Sequence, residues 1–406
     1  MENSFITYEK ALTIFDENTD IFPIHSNELA NCIGDYLAED LIADRPFPPF
    51  DRVTMDGIAI VYEQFKNGQR IFSIEEIAAA GTPQKILKVK QNCIEVMTGA
   101  VLPKGVDTVI RYEDLTINEI KNTATINVDT LKFKQNIHFK GIDIAEGSVV
   151  VSKGKQISSA EINIAATIGK SNLKIVQLPK TVIISTGDEL VPIEEIPELH
   201  QIRKSNIYGI RATLKEWGIN AELKHLQDNK EQMIKSIANI LENFDVLIFT
   251  GGVSKGKFDY LPEVLEKLNV KKEFHKIQQR PGKPFWFGTH ESGKKIFALP
   301  GNPVSSFVCT YIYIQYWLKK SLGLKQKTLF AQLKKDVHFK PNLVYFLEAT
   351  LESNKQGILI ANPIKGNGSG DFANLTHTDG LLILPQNKSI FKKGEAYPFV
   401  CFRSIY

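Results

Sequence analysis

Cysteine is scarce in this chain, with only Cys32, Cys93, Cys309 and Cys401 among 406 residues. The four are scattered, with no Cys-x-x-Cys pair and no histidine at ligand spacing. Neither a disulfide framework nor a structural zinc site is expected, and a reducing cytoplasm suits them. A surplus of one charge is missing too. The formal net charge is +3, from 49 Lys plus Arg against 46 Asp plus Glu. That balance argues against a general nucleic-acid or membrane-surface binder and leaves room only for a local basic patch. No apolar run approaches the roughly 18 residues of a membrane span. The stretch Met1-Glu2-Asn3-Ser4-Phe5 lacks the basic-then-apolar order of a signal peptide.

What is present describes a globular protein. Hydrophobic residues make up 43% and charged residues 23% of the chain, ample for about two to four domains with their own cores. Helical spacing runs over residues 5–15 and again over 25–40, where Ser26 is a candidate N-cap. Pro46, Pro48 and Pro49 then forbid regular helix and mark an extended crossing. From residue 58 to about 135 short alternating segments between turns predict a compact β-domain. A helical pattern near Ser158 to Ile168 follows. From residue 180 strands and helices alternate, which predicts a mostly parallel sheet covered on both faces. Its strands fall at Val182 to Ser185, Ala221 to Leu226, Asp245 to Phe249, and near 284–288 and 295–299. Its helices fall at Asn206 to Trp217, Asn229 to Leu241, Leu261 to Leu268 and Val304 to Lys319. The last section returns to β-pattern. The predicted fold is α/β plus β. It comprises a three-layer α/β domain (178–322), a β-domain (51–138) inserted into an elongated N-terminal domain (1–50 and 139–177), and a C-terminal β-barrel-like domain (323–406).

The chemistry centres on the run from Asp245 to Asp259. An apolar strand ends at Thr250 and meets Gly251 and Gly252, then Ser254, Lys255, Gly256 and Lys257. Strand, glycine turn and helix form an anion-binding arrangement, because turn N–H groups and a helix N-terminus both favour negative charge. The run is one residue from a P-loop, but Phe258 stands where a Mg²⁺-binding hydroxyl is required. Ser185-Thr186-Gly187-Asp188-Glu189 closes another strand at the same carboxyl edge. Its two carboxylates suit Mg²⁺, or form a polar turn. Ser205, before Asn206, reads as an N-cap or a ligand contact. Asp228 with Glu231 resembles a capping box or faces the same edge. Lys276, Arg280 and Lys283 around Pro281-Gly282 suit an anion such as phosphate or molybdate, or form a solvated basic loop. Leu299-Pro300-Gly301-Asn302-Pro303 is a rigid turn directly before a helix. Asp56 and Asp143, each beside a glycine, join this site only through domain packing or across a dimer.

Six stretches in order resemble the molybdopterin molybdenumtransferase family, which includes the E domain of gephyrin. They are Met55-Asp56-Gly57, Met97-Thr98-Gly99-Ala100 with Leu102 to Gly105, Ser185 to Leu190, Thr250 to Ser254 with Asp259, Pro281 to Pro284, and Leu299 to Ser305. The resemblance covers nearly the whole chain. It implies an L-shaped homodimer with an intersubunit site. The implied reaction converts adenylyl-molybdopterin plus molybdate into molybdenum cofactor, AMP and water with a divalent metal, Mg²⁺. It further implies transient contact with other molybdenum cofactor enzymes. Catalytic roles are expected of Asp56, Asp143, Glu189, Asp228 and Asp259, and metal binding of Asp188, Glu189, Asp228 and Asp259. Substrate contacts are expected of Thr98, Thr186, Gly187, Ser205, Asn206, Gly251, Gly252, Ser254, Lys276, Arg280, Lys283, Pro300 and Pro303. Three departures stand out, one being that Lys255 and Lys257 make the glycine turn more basic than is usual. Ile58 replaces the usual Tyr, and Glu348 occupies a strand position where arginine is often seen, leaving Ser369 as the contact guessed for the last domain. The rival readings are the preceding molybdopterin adenylyltransferase and a non-catalytic scaffold of gephyrin type.

Overall fold

The computed structural model describes residues 5–253, 260–325, 327–366, 368 and 370–403. Of the expected site residues, Ser254, Asp259 and Ser369 lie outside this set, as do Lys255 to Phe258 of the P-loop-like run. The chain divides into two compact units, one holding residues 26–33 and 37–175 and the other the remainder.

In the first unit the alternating segments form a six-stranded sheet. Its order is Thr108–Arg111, Gly57–Ile60, Cys93–Val96, Ile71–Ala78, Thr123–Ile126, Leu115–Asn118. The expected helix over 25–40 is absent. Ile24–Glu28 is a strand and Leu29–Asn31 a single 3₁₀ turn. Leu29, Ile33, Leu37 and Leu41 mimic helical spacing, yet Leu37 and Leu41 are fully buried while Ile33 is 61% exposed. Gly34, at φ +86°, turns the chain between them. Ser26 therefore caps nothing.

Helix Ser159–Thr167 does carry a capping box, formed by Ser158 and Glu161. Lys155 Nζ also lies 2.6 Å from a Glu161 carboxylate oxygen. These partners, the lysine foremost, hold the Glu161 carboxyl down at about 2, from an ordinary 4.5. A depressed carboxyl contributes stability above its unfolded value and loses it as pH falls toward its folded one. Glu161→Gln is therefore expected to flatten the acid loss of stability between pH 4.5 and about 2, read from urea midpoints across that interval. An unchanged acid limb would refute the assignment.

The second unit holds the α/β sheet. Its order is Glu222–Leu226, Thr181–Thr186, Val246–Thr250, Lys295–Leu299, Trp286–His290, Val270–His275. The first four strands are parallel, and only Trp286–His290 runs against the rest, pairing antiparallel on both its sides. The continuous apolar runs arise because both faces are covered. Val182, Ile184, Leu247 and Phe249 enter one core cluster, while Ile183, Val246 and Ile248 enter the other. The register sets Ser185 opposite Thr250, and Thr250 opposite Leu299, so three motif-bearing strands end together.

Two helix starts differ from the sequence reading. Helix Ser205–Glu216 is capped at Lys204, with Ser205 already inside. Helix Lys230–Asn243 is capped by Asn229, whose side chain accepts from Gln232 N–H, so Asp228 forms no capping box. The long helix after Pro303 runs to Ser321 with a π turn at Thr310–Ile314.

The C-terminal β-section closes into a five-stranded barrel. Val344–Ser353, Leu359–Pro363, Leu329–Leu333, Ala396–Cys401 and Gly380–Leu384 pair in turn, and the last returns to the first. A sixth, two-residue strand, Gln279–Arg280, joins from the α/β section and pairs in parallel with Val344 and Tyr345.

Candidate functional site

The glycine turn has a steric cause. Gly251 sits at φ +100°, and a Cβ there would meet Thr186 O at 2.8 Å and Thr186 Oγ1 at 3.0 Å. Only glycine lets the turn lie against the neighbouring strand end. Thr186 Oγ1 itself is buried and finds no hydrogen-bond partner among the described residues. Beside it opens a cavity of about 240 Å³ lined by Ser185, Thr186, Glu189, Lys204, Ser205, Asn206, Thr250, Gly251 and Pro303, among others.

Asn206 anchors this floor. Its side-chain amide donates to Thr250 Oγ1 at 3.0 Å and to Gly301 O at 2.7 Å. One side chain thus ties a helix start, a strand end and the Pro-Gly-Asn-Pro turn together. Asp188 and Asp228 meet at the same edge, where Asp228 N–H donates to Asp188 Oδ1 at 3.1 Å. Glu189 folds back, its carboxylate 2.3 Å from where a Cβ on Gly187 would stand.

A second cavity, of about 330 Å³, adjoins the same turn. Pro300, Asn302, Val304 and Ser305 line it from the turn and helix, Arg280 and Lys283 from the basic loop, and Tyr345 and Glu348 from the barrel. Asn302 borders both cavities. The helix that begins at Pro303 lends its first residues to both linings, Pro303 to the first cavity and Val304 and Ser305 to the second, and a helix N-terminus favours anions.

The basic loop is fixed from beneath. Gln279 is 1% exposed, and its amide nitrogen donates to Pro281 O at 3.1 Å. The Tyr313 hydroxyl, in the π turn, donates to Gln279 Oε1. The loop thus presents Arg280 from a buried, hydrogen-bonded base. Lys283 Nζ stands 4.3 Å from the centre of the Phe5 ring, a cation–π contact that steadies its stem. Lys276 does not line the cavity. It takes a left-handed backbone, φ +76°, and its ammonium lies 6.0 Å from the Phe5 ring.

In the other unit Asp56 is oriented by Thr98, whose N–H donates to Asp56 Oδ1 at 2.6 Å. That bond, with a second from the Thr98 side chain, holds the carboxyl below its ordinary value. Asp143 instead pairs with His138, Nε2 to Oδ1 at 3.0 Å, and His138 Nδ1 is 3.2 Å from an Arg52 guanidinium nitrogen.

Three residues escaped the sequence reading. Arg203 and Lys204 line the first cavity; two adjacent cations just before Ser205 were the available signal. His225 pairs with buried Ser185, Nδ1 to Oγ at 2.9 Å. Burial and then Lys204 push its imidazole below the usual value. Only the parallel register, Ser185 opposite His225, brings them together.

Residues 6–169 match the family described as "MoeA N-terminal region (domain I and II)", residues 182–320 the "Probable molybdopterin binding domain", and residues 331–402 the "MoeA C-terminal region (domain IV)". A molybdopterin molybdenumtransferase of Synechocystis sp. is 42% identical over 370 residues, spanning 90% of this chain and 92% of that protein. The chain belongs to the molybdopterin molybdenumtransferase family. A second member, from Staphylococcus epidermidis, is 32% identical over 391 residues, 94% of this chain and 92% of that protein. The crystal structure of a molybdopterin biosynthesis MoeA protein from Pyrococcus horikosii is similar with a TM-score of 0.83 at 26% identity, covering 99% of this chain and all of that one. Membership accounts for the order of the six motifs.

Proposed function

We infer that the protein is a transferase of molybdenum cofactor assembly, inserting molybdenum into molybdopterin. Its substrates are adenylyl-molybdopterin and molybdate, and its products molybdenum cofactor, AMP and water. The observation that carries this reading is the pair of cavities that adjoin the Pro300–Pro303 turn. One is lined by the glycine turn, Glu189 and Lys204, the other by Arg280 and Lys283. Two anionic reactants brought to adjoining sites on one rigid turn gain the proximity that such a condensation needs.

In this reading the floor at Thr186, Gly251 and Gly252 receives the pyrophosphate-bearing substrate, with Lys204 and Ser205 beside it. Arg280 and Lys283 draw the tetrahedral oxyanion into the second cavity. Adenylate is a good leaving group, so the protein's main work is to orient the two reactants. Asp56 and Asp143 complete the site from a second subunit of a homodimer; the support is that Asp56 is surface-exposed yet already aimed by Thr98.

The carboxylates suit Mg²⁺. Asp188, Glu189 and Asp228 offer hard oxygen donors at one strand edge, and no tight group of three acidic, His or Cys ligands occurs among the described residues. Mg²⁺ typically takes one or two carboxylates, several waters and substrate phosphates. One or two of Asp188, Glu189 and Asp228 would hold it together with waters and substrate oxygens, and when bound it supplies charge neutralisation at the pyrophosphate.

The test is AMP release from adenylyl-molybdopterin with Mg²⁺, with and without molybdate. Molybdate-dependent release is expected. Formation of adenylyl-molybdopterin from ATP would favour the preceding step of the pathway, and binding without turnover would favour a scaffold.

A further inference from the structure

The second cavity carries charge of both signs. Arg280 and Lys283 stand on one wall and Glu348 on another. Among the described residues no ion pair joins Glu348 to either cation. Asn374 holds the carboxylate instead, its side-chain amide donating to Oε2. The groups around Glu348 are few. Tyr345 lies on the same strand. Asn374 comes from the 3₁₀ helix Phe372–His377, and Asp371 precedes that helix. Gly366 brings only backbone, a Cβ on it falling 3.7 Å from Oε2, and the residue opposite in the sheet is Leu381. An oxyanion drawn in by Arg280 and Lys283 therefore meets a carboxylate that, among the described residues, no cation pairs.

Like charges in a half-buried site do not both persist; one takes up a proton. We propose that Glu348 makes oxyanion binding in this cavity proton-linked, its carboxyl taking one proton from solvent as the anion enters. Asn374 occupies Oε2 as a donor, so the proton goes to Oε1, and the O–H so formed donates to the anion. Glu348 thereby changes from a repelling group into a ligand. Burial foremost, with the nearby Asp371 adding to it, already raises its pKa above the ordinary carboxyl value, and the bond from Asn374 only partly offsets this. The proposal rests on the reading of this cavity as the molybdate site.

The experiment is calorimetric titration of the full-length protein with sodium molybdate, across pH, in pairs of buffers that differ in ionisation heat. The wild type is expected to take up close to one proton per molybdate. Its affinity should fall about tenfold per pH unit between the carboxyl's values in the free and anion-bound protein. Glu348→Gln should abolish the uptake, flatten the profile and bind tighter at alkaline pH. Asn374→Ala removes a donor to the ionised form, so its pH midpoint should move upward. A Glu348 that merely anchors the 3₁₀ helix would leave both the uptake and the slope unchanged in Glu348→Gln, and that result overturns the proposal. If neither protein binds molybdate at any pH, the reading of the cavity itself fails.

Discussion

Replacing Asp56 by asparagine is expected to lower molybdate-dependent AMP release by about 10²–10⁴-fold, with no change in melting temperature. The side chain is exposed and buries nothing, so the scaffold does not depend on its charge. What it has is orientation. The Thr98 N–H fixes one carboxylate oxygen at 2.6 Å, and the Thr98 side chain adds a second bond. Asparagine keeps the size and an acceptor oxygen but loses the negative charge. Because the Thr98 bonds hold the carboxyl below its ordinary value of 3.8, Asp56 stays ionised throughout the neutral range. Any acid limb due to it lies below that value. Retained turnover in Asp56→Asn would remove this residue from the site.

The neighbouring substitution should do the opposite. Gly57→Ala is expected to destabilise the first unit by at least about 3 kcal/mol and to yield largely misfolded protein. Gly57 lies at φ +154°, and a Cβ there would stand 1.9 Å from Ile110 O and 2.9 Å from Arg111 Cα. Those atoms belong to the adjacent strand, paired through Gly57 opposite Arg111 and Ile58 opposite Ile110. Neither backbone can yield without breaking the ladder that places Asp56. Urea unfolding of the purified variant decides the matter, and a wild-type midpoint would contradict the steric argument. Adjacent positions thus separate chemistry from scaffold: one variant folds and does not turn over, the other does not fold.

Much of this was legible in the sequence where one physical cause dominates. The run Val246–Phe249 is apolar because both sheet faces are covered, and a glycine pair follows because Thr186 leaves no room for a Cβ. Strand ends and the motifs on them followed from the βα rhythm. Other features had no local signal. Gln279–Arg280 is a two-residue strand recruited by a distant barrel, and its buried glutamine gives no apolar alternation to read. His225 gains its meaning only from register with Ser185. The stretch from Leu29 to Leu41 had the right spacing for a helix, but Gly34 sends its apolar residues to different environments. Asp228 looked like a cap because a better one, Asn229, stood beside it.

The ladder between Arg280 and Tyr345 has a consequence for how the molecule can be divided. The α/β section alone, ending near residue 322, would keep the glycine floor and the turn at Pro300–Pro303. It would lose Tyr345 and Glu348, and with them the strand that braces Arg280. Such a fragment is a cup with one side cut away, open to solvent where the oxyanion should rest. The barrel is therefore the second jaw of a vice, held by that ladder and by Val344 and Phe346 packed into the core of the α/β section. Val344 and Tyr345 are the two residues through which the barrel meets the backbone that carries the guanidinium.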